Sequence, residues 1–395
     1  MEPVEVRDRE TLTLTEWELA NLHLPPVTTV TLYEGTAPVG FLRRRIASIL
    51  EENPWLTSRI VKRDTTDGVV ALAYSKSVEV ERAVEQHFRV YEPRDVGFSL
   101  GMSYEELVRC LLPVQCARSK PATDKDVALF KVAVVPIEAE STDGVRSAPL
   151  QQRLSLPGFA LVVSMNHTLG DGHTYYSLYN MLSMDSKVEA LDPVRVSGFE
   201  AAKTDVIGEK ETAMLGSAGF GLGILVTYLG ARVSRRAPQN VQINEVDPAW
   251  LAREKDHARQ EAQVPFVSSN DVLTSWFFRS MRSDTNIMVA NFRSRQPCFW
   301  KSLHNKTSII TNWARFYGDA YLQDEAGGDN ESVARPKLHF PIMESDGLIA
   351  SVWNNAIVFR PRAGQLGVLL ITRPLDDGAR GGEAMQNAPL GSRIV

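Results

Sequence analysis

Leu42, Ile46, Ile49 and Leu50 fall at i, i+4, i+7 and i+8, which predicts an amphipathic helix. Arg43, Arg44 and Arg45 lie mostly off that face and are expected to be solvated. The helix should stop before Asn53-Pro54, because a residue preceding proline avoids helical geometry. Ser58 to Lys62 and Val69 to Tyr74 read as paired strands around an Asp67-Gly68 turn. Tyr104 to Leu111 predicts a short helix. Ala128 to Val135 and Phe159 to Met165 are apolar runs of the length of buried strands, joined by a polar loop over 138–152. Tyr175, Leu178, Tyr179 and Leu182 then restore a helical period over Thr174 to Met184.

The second half repeats a mixed pattern after a loop-like crossover over 196–246. Asp247-Pro248 is a cap and first-turn pair for a helix through about Ala262. Ser268-Ser269-Asn270-Asp271 opens another, Val272 to Arg282. Asn286 to Phe292, Ser308 to Phe316, Ile349 to Phe359 and Leu366 to Thr372 are strand-like, with a polar loop over Gln323 to Lys337. Pro374 to Val395 reads as a disordered tail. This predicts an α/β (α+β) protein: an N-terminal lobe over 1–195, the crossover, a C-terminal lobe over 247–374, and the tail over 375–395.

Composition narrows the partners. With 395 residues, 44% hydrophobic and 23% charged, the chain has material for a large core. A net charge of −5 argues against nucleic acid. Three cysteines, Cys110, Cys116 and Cys298, match no metal spacing and are expected to be reduced thiols in the cytoplasm. Met1 to Glu5 has neither the basic nor the apolar region of a signal peptide. Thr212 to Ala231 carries no charge but five glycines, and is followed by Arg232, Arg235 and Arg236. It is read as a flexible, partly buried connector, with peripheral membrane contact as the next alternative and a membrane span as the last.

The chemistry concentrates where the Phe159–Met165 run meets the following helix, at Asn166-His167-Thr168-Leu169-Gly170-Asp171-Gly172-His173. A strand-to-helix turn exposes a side chain at the rim of a rigid core. A histidine there has the intrinsic pKa of a general base near neutrality. In a tight turn, a carboxylate four residues on need not touch the ring and can anchor the loop instead. Gly172 lets the backbone turn sharply. Chance supplies about 0.03 such His-x-x-x-Asp-Gly matches in a chain of this composition. His167, Asp171 and His173 could also be read as metal ligands, but Gly170 and Gly172 disfavour a helix joining the first two and no partner cluster stands elsewhere. No metal is expected.

The string 164–172, SMNHTLGDG, resembles the HxxxDG motif of the CoA-dependent acyltransferase superfamily. That group includes the BAHD acyltransferases, chloramphenicol and carnitine acyltransferases, wax ester synthases and nonribosomal condensation domains. Residues 267–280, VSSNDVLTSWFFRS, are similar to the family's helix after the crossover. Residues 289–295, VANFRSR, resemble its arginine-bearing strand. Ile310-Thr311-Asn312-Trp313 resembles its threonine-x-tryptophan stretch. Where the BAHD branch carries DFGWG, Tyr317-Gly318-Asp319-Ala320 is a faint echo. Asn166 stands where wax ester synthases and condensation domains usually place a second histidine.

The resemblance implies two chloramphenicol-acetyltransferase-like lobes, each a mostly antiparallel sheet with helices, and a tunnel between them. It implies His167 as the base, Asp171 and Gly172 as motif partners, and Arg293 or Arg295 as the structural partner of Asp171. Thr311 and Trp313 would face the oxyanion. The co-substrate would be acyl-CoA and no cofactor would be bound. The acceptor would be a hydroxyl or amine of a small molecule or lipid. The sequence leaves the oligomeric state open, with a monomer favoured. A condensation enzyme using a carrier-protein thioester, and a degenerate ligand-binding member of the same fold, are the alternatives.

Overall fold

A strand buried along its whole length, β7 (Gly158–Met165), sits at the centre of the first half of the chain. The computed structural model describes residues 9–14, 24–62, 70–137, 158–195, 240–281, 285–289, 307–323, 333–344, 354–372 and 389–395, with a few isolated positions between them. The described chain divides into two compact units: Met1–Ser197 with Phe316–Met343, and Gly198–Arg315 with Glu344–Val395. Phe316–Met343 therefore leaves the C-terminal lobe to which its sequence position assigned it.

In the first unit, β1 (Arg9–Thr13) pairs with β4 (Val70–Ser75), which pairs with β3 (Arg59–Lys62), all antiparallel. The larger sheet runs β13 (Pro336–Ile342), β2 (Val27–Glu34), β7, β6 (Phe130–Ile137), β5 (Phe88–Val90). The two strands flanking β7 are antiparallel to it. Burial of both faces explains its continuous apolar run, since no alternation is needed when neither side meets water. Gly158 opens it because a Cβ there would lie 2.0 Å from the Tyr33 carbonyl oxygen. Helix α1 (Val39–Glu52) buries Phe41, Leu42, Ile46, Ile49 and Leu50, the stripe its spacing predicted. Two further helices follow, α2 (Val80–His87) and α3 (Tyr104–Leu111), the second capped reciprocally by Ser103 and Glu106.

Three expectations are corrected here. Arg45 is not a solvated charge. Its guanidinium donates to the Met181 and Ser183 carbonyls at 2.6 Å each and to the Ser186 carbonyl. These lie just past the end of a helix, where carbonyls lack partners of their own. Second, the loop placed over Gln323 to Lys337 contains a short pair, β11 (Leu322–Gln323) with β12 (Val333–Ala334), and the start of β13. That last strand is an edge strand, which is where Pro336 and Pro341 are tolerated. Third, the chain's last residues are not a disordered tail. Leu390–Arg393 form a strand, and Ile394 and Val395 are buried.

In the second unit the sheet runs β16 (Leu390–Arg393), β8 (Asn240–Val246), β15 (Gln365–Thr372), β14 (Asn354–Arg362), β10 (Thr307–Asn312), β9 (Thr285–Val289). Strands β9, β10 and β14 are mutually parallel, and the remaining pairs are antiparallel. Helix α5 (Pro248–Ala262) follows its Asp247 cap, and α6 (Ser269–Met281) is opened by mutual bonds between Ser268 and Asp271. Leu273, Trp276 and Phe277 of α6 pack with Ile310, Val358 and Leu370 of the sheet. The helix between Asp171 and Met181 in the first unit, α4 (Gly172–Asn180), belongs to the site below. Residues 213 and 217 apart, the apolar segment 212–231 lies outside the described residues. So do Arg293, Arg295, Cys298, the 138–152 loop and the Asp67-Gly68 turn.

Candidate active site

The turn after β7 is built around Asn166. This side chain is buried, and it is satisfied on both ends. Its Nδ2 donates to the Ala117 carbonyl at 2.7 Å. Its Oδ1 receives the Ser119 hydroxyl at 2.7 Å, the Thr168 amide at 3.0 Å and the Thr168 hydroxyl at 2.8 Å. Its backbone donates to Leu129 and accepts from Leu169. A buried amide left unpaired is costly, so this hub fixes the turn's path against the neighbouring 117–119 segment. Ser164, two residues before, bonds Thr28 at 2.9 Å and the Cys116 amide at 3.1 Å, extending the same seam. Burial pushes the Cys116 thiol up to about 12, so it stays protonated.

His167 follows that hub and is half-buried. Among the described residues no hydrogen bond holds its ring. Burial pulls its pKa down to about 4, against a smaller opposing pull from Asp171. The imidazole is therefore neutral near pH 7, with a lone pair available on one nitrogen.

Asp171 sits at the N-terminus of α4, exposed, where its Oδ1 accepts from the Thr174 amide at 3.0 Å and the Thr174 hydroxyl at 3.1 Å. It is an N-cap, favoured by the helix dipole as well as by these bonds. Gly172 is the first helical residue. A Cβ on Gly170 would lie 2.7 Å from Thr174, whose side chain is already committed to Asp171. His173 meets the Phe316 ring edge-on at 5.3 Å. Among the described residues no three His, Cys, Asp or Glu side chains gather to hold a metal ion.

Behind the turn, α4 is anchored by a deeply buried polar network. Tyr175 is hydrogen-bonded to the Thr29 hydroxyl at 2.6 Å, and Tyr179 to the Thr31 hydroxyl at 2.7 Å. His339 links Thr31 at 2.9 Å to Tyr176 at 3.1 Å, and stacks on Tyr317 at 4.1 Å. Burial lowers the His339 pKa to about 3 and raises those of Tyr175 and Tyr176 well above the usual phenol value. Sequence reading missed this network, because its members are scattered over more than three hundred residues.

The remaining predicted site residues belong to the second unit. Thr311 lies near the end of β10, in register with Ile357 and Val289. Trp313 follows, its amide donating to Val358 at 2.8 Å. Asn312 fixes that corner, its Oδ1 accepting from Ala314 at 3.0 Å and its Nδ2 donating to Asn270 at 2.9 Å. Thr311 and Trp313 are both half-buried. The structure thus brings His167, Asp171 and Gly172 together on one turn and sets Thr311 and Trp313 on one strand end.

No family model matches the chain, and no curated protein matches it in sequence. Solved structures do match. F. graminearum TRI101 complexed with coenzyme A and T-2 mycotoxin superposes with a TM-score of 0.55 at 10% identity, covering 98% of this chain and 100% of that one. The TRI3 trichothecene 15-O-acetyltransferase of Fusarium sporotrichioides gives 0.54 at 9% identity, over 96% and 93%. A four-domain nonribosomal peptide synthetase bound to AMP and glycine gives 0.52 at 9% identity, over 98% of this chain and 33% of that one. The chain therefore has the fold of TRI101 and TRI3, with two α/β lobes of the chloramphenicol-acetyltransferase-like kind.

Proposed function

We propose that this protein is an acyltransferase that moves an acyl group from acyl-CoA to a hydroxyl, or an amine, of a small-molecule or lipid acceptor. The observation that carries the reading is the turn at His167: a neutral imidazole with no intramolecular hydrogen bond among the described residues, at the end of a fully buried strand, on a backbone fixed by Asn166. The fold shared with TRI101, whose structure is complexed with coenzyme A and T-2 mycotoxin, supports it.

In this mechanism His167 accepts the proton of the acceptor hydroxyl as its oxygen attacks the thioester carbonyl. The tetrahedral intermediate collapses, the proton passes to the departing thiolate, and no acyl-enzyme forms. A base with a depressed pKa is weak, but here it holds the proton only between attack and collapse. Asp171 takes no proton; it caps α4 and, on this reading, pairs with Arg293 or Arg295. Thr311 and Trp313 supply donors to the oxyanion, a role worth about 10²- to 10³-fold in comparable sites. No bound cofactor is required. We further propose a cytoplasmic protein, a monomer being favoured, with 212–231 as its candidate peripheral membrane contact. Flotation with liposomes, with and without that segment, tests the last point.

A screen of acyl-CoAs against mixed hydroxyl and amine acceptors, read by thiol release, tests the activity. His167→Ala should abolish turnover while leaving the circular-dichroism melt intact; near-normal turnover in that variant would overturn the assignment. The synthetase likeness favours a second reading, condensation with a carrier-protein thioester. Faster consumption of carrier-bound than of CoA-bound acyl groups would select it.

A further inference from the structure

Something other than a bond to the ring must orient His167. A general base is usually held by a partner on its second nitrogen, and among the described residues this ring has none. Its orientation therefore comes from the backbone on either side. On the side preceding it, Asn166 ties the turn to Ala117 and Ser119. On the following side, the Thr168 and Leu169 carbonyls both point at one guanidinium, that of Arg195, whose Nη2 donates to them at 2.8 and 3.4 Å. The same guanidinium's Nη1 donates to its own chain at the Pro193 carbonyl, 2.9 Å away. The fork thus spans two segments, joining the irregular stretch 193–195 to the turn. This use depends on two nitrogens at fixed spacing, which arginine provides and lysine does not.

We propose that Arg195 is a positioning residue for the site: it holds the Thr168 and Leu169 carbonyls so that the His167 ring faces its substrate, with Asn166 as the opposing clamp. The proposal rests on the acyltransferase reading for its consequence in turnover, but its geometry stands apart from it. Arg195 lies 28 positions beyond the histidine and outside the motif, so no local pattern marks it. Asp171, the charged group that acts on His167, accepts from the Thr174 amide and hydroxyl.

The test uses the full-length protein as wild type, Arg195→Lys and Arg195→Ala. His167 is followed by NMR of the histidine Cε1–H signals through a pH titration, with His167→Gln assigning the resonance. Released from the fork, the turn loosens and water reaches the ring, so the His167 midpoint should move up towards the ordinary histidine value in both variants, more in Arg195→Ala. With an acyl-CoA and acceptor pair that supports turnover, kcat should fall about 10- to 100-fold while KM changes less than about twofold. If Arg195→Ala fails to fold by circular dichroism, Arg195→Lys carries the test. A His167 titration identical to wild type in every folded variant overturns the proposal. Absence of thiol release from wild type itself would count against the acyltransferase reading alone, since the titration still decides the role of Arg195.

Discussion

Asn180 and Gly318 are joined by a bond from the Gly318 amide to the Asn180 Oδ1 at 2.9 Å, while the Asn180 Nδ2 donates to the Phe316 carbonyl, also at 2.9 Å. One amide side chain at the end of α4 thus replaces a strand neighbour for the incoming segment 316–318. Ser183 continues the seam by accepting from Tyr321 at 3.0 Å. The helix that begins at the His167 turn therefore ends by holding the segment that leads to β13.

Asn180→Ala should cost about 2 kcal/mol, because two backbone groups lose their partner. A Cβ at Gly318 would stand 3.2 Å from the Asn180 Oδ1, tight enough to press on it. Gly318→Ala should therefore destabilise the wild type and do less harm in Asn180→Ala. Urea denaturation of the four proteins of this cycle checks it. Strict additivity would show that the two residues do not act as a unit.

Asp171 should reveal its structural work through stability. Asp171→Ala removes the cap of α4 and should lose about 1 kcal/mol. Asp171→Asn keeps an acceptor for Thr174 and should stay within about 0.5 kcal/mol of wild type. Thermal melts separate the two. Equal losses would mean that the charge, not the cap, stabilises the turn.

Acid should unfold this protein early. His339, His87 and His167 are held neutral in the fold, with pKa values lowered to about 3, about 4 and about 4, in each case chiefly by burial. In the unfolded chain each titrates near about 6.5. Their contribution is fully present above that value. It is lost as pH falls from about 6.5 towards about 3, because the unfolded state then binds protons that the folded state refuses. The melting temperature should decline steadily below about pH 6. His339→Gln, which cannot titrate, should flatten part of that decline. An unchanged slope in His339→Gln would remove this residue from the account.

The chain's end should be needed for stability. Ile394 and Val395 are 0% and 4% exposed, and the Ile394 amide donates to the Ile243 carbonyl at 2.7 Å. Removing residues 390–395 uncovers β8 and should cost about 3–6 kcal/mol from the two side chains and their surroundings. A truncated protein that melts with wild type would show that the strand adds little.

Residues whose environment repeats along the chain were legible in the sequence. The stripe of α1, the caps of α5 and α6 and the buried run of β7 follow from local periodicity and capping chemistry, whereas the two-lobe class came from the motif resemblance. The His167 turn was legible too, because its residues are contiguous. The tertiary structure decided the rest. Arg45 reads as a surface charge until the carbonyls at 181 to 186 come to meet it. Residues 323–337 read as a polar loop until β2 offers an edge to the strand that starts at Pro336. The last six residues read as a tail until β8 supplies a partner. Asn166 could be seen as an unusual neighbour for the histidine, but not as a hub bonded to residues nearly fifty positions away. Local free energy is written in neighbouring residues, so sequence determines it. Where a side chain's partner lies far along the chain, only the closed fold determines whether a polar group is solvated, or buried and satisfied.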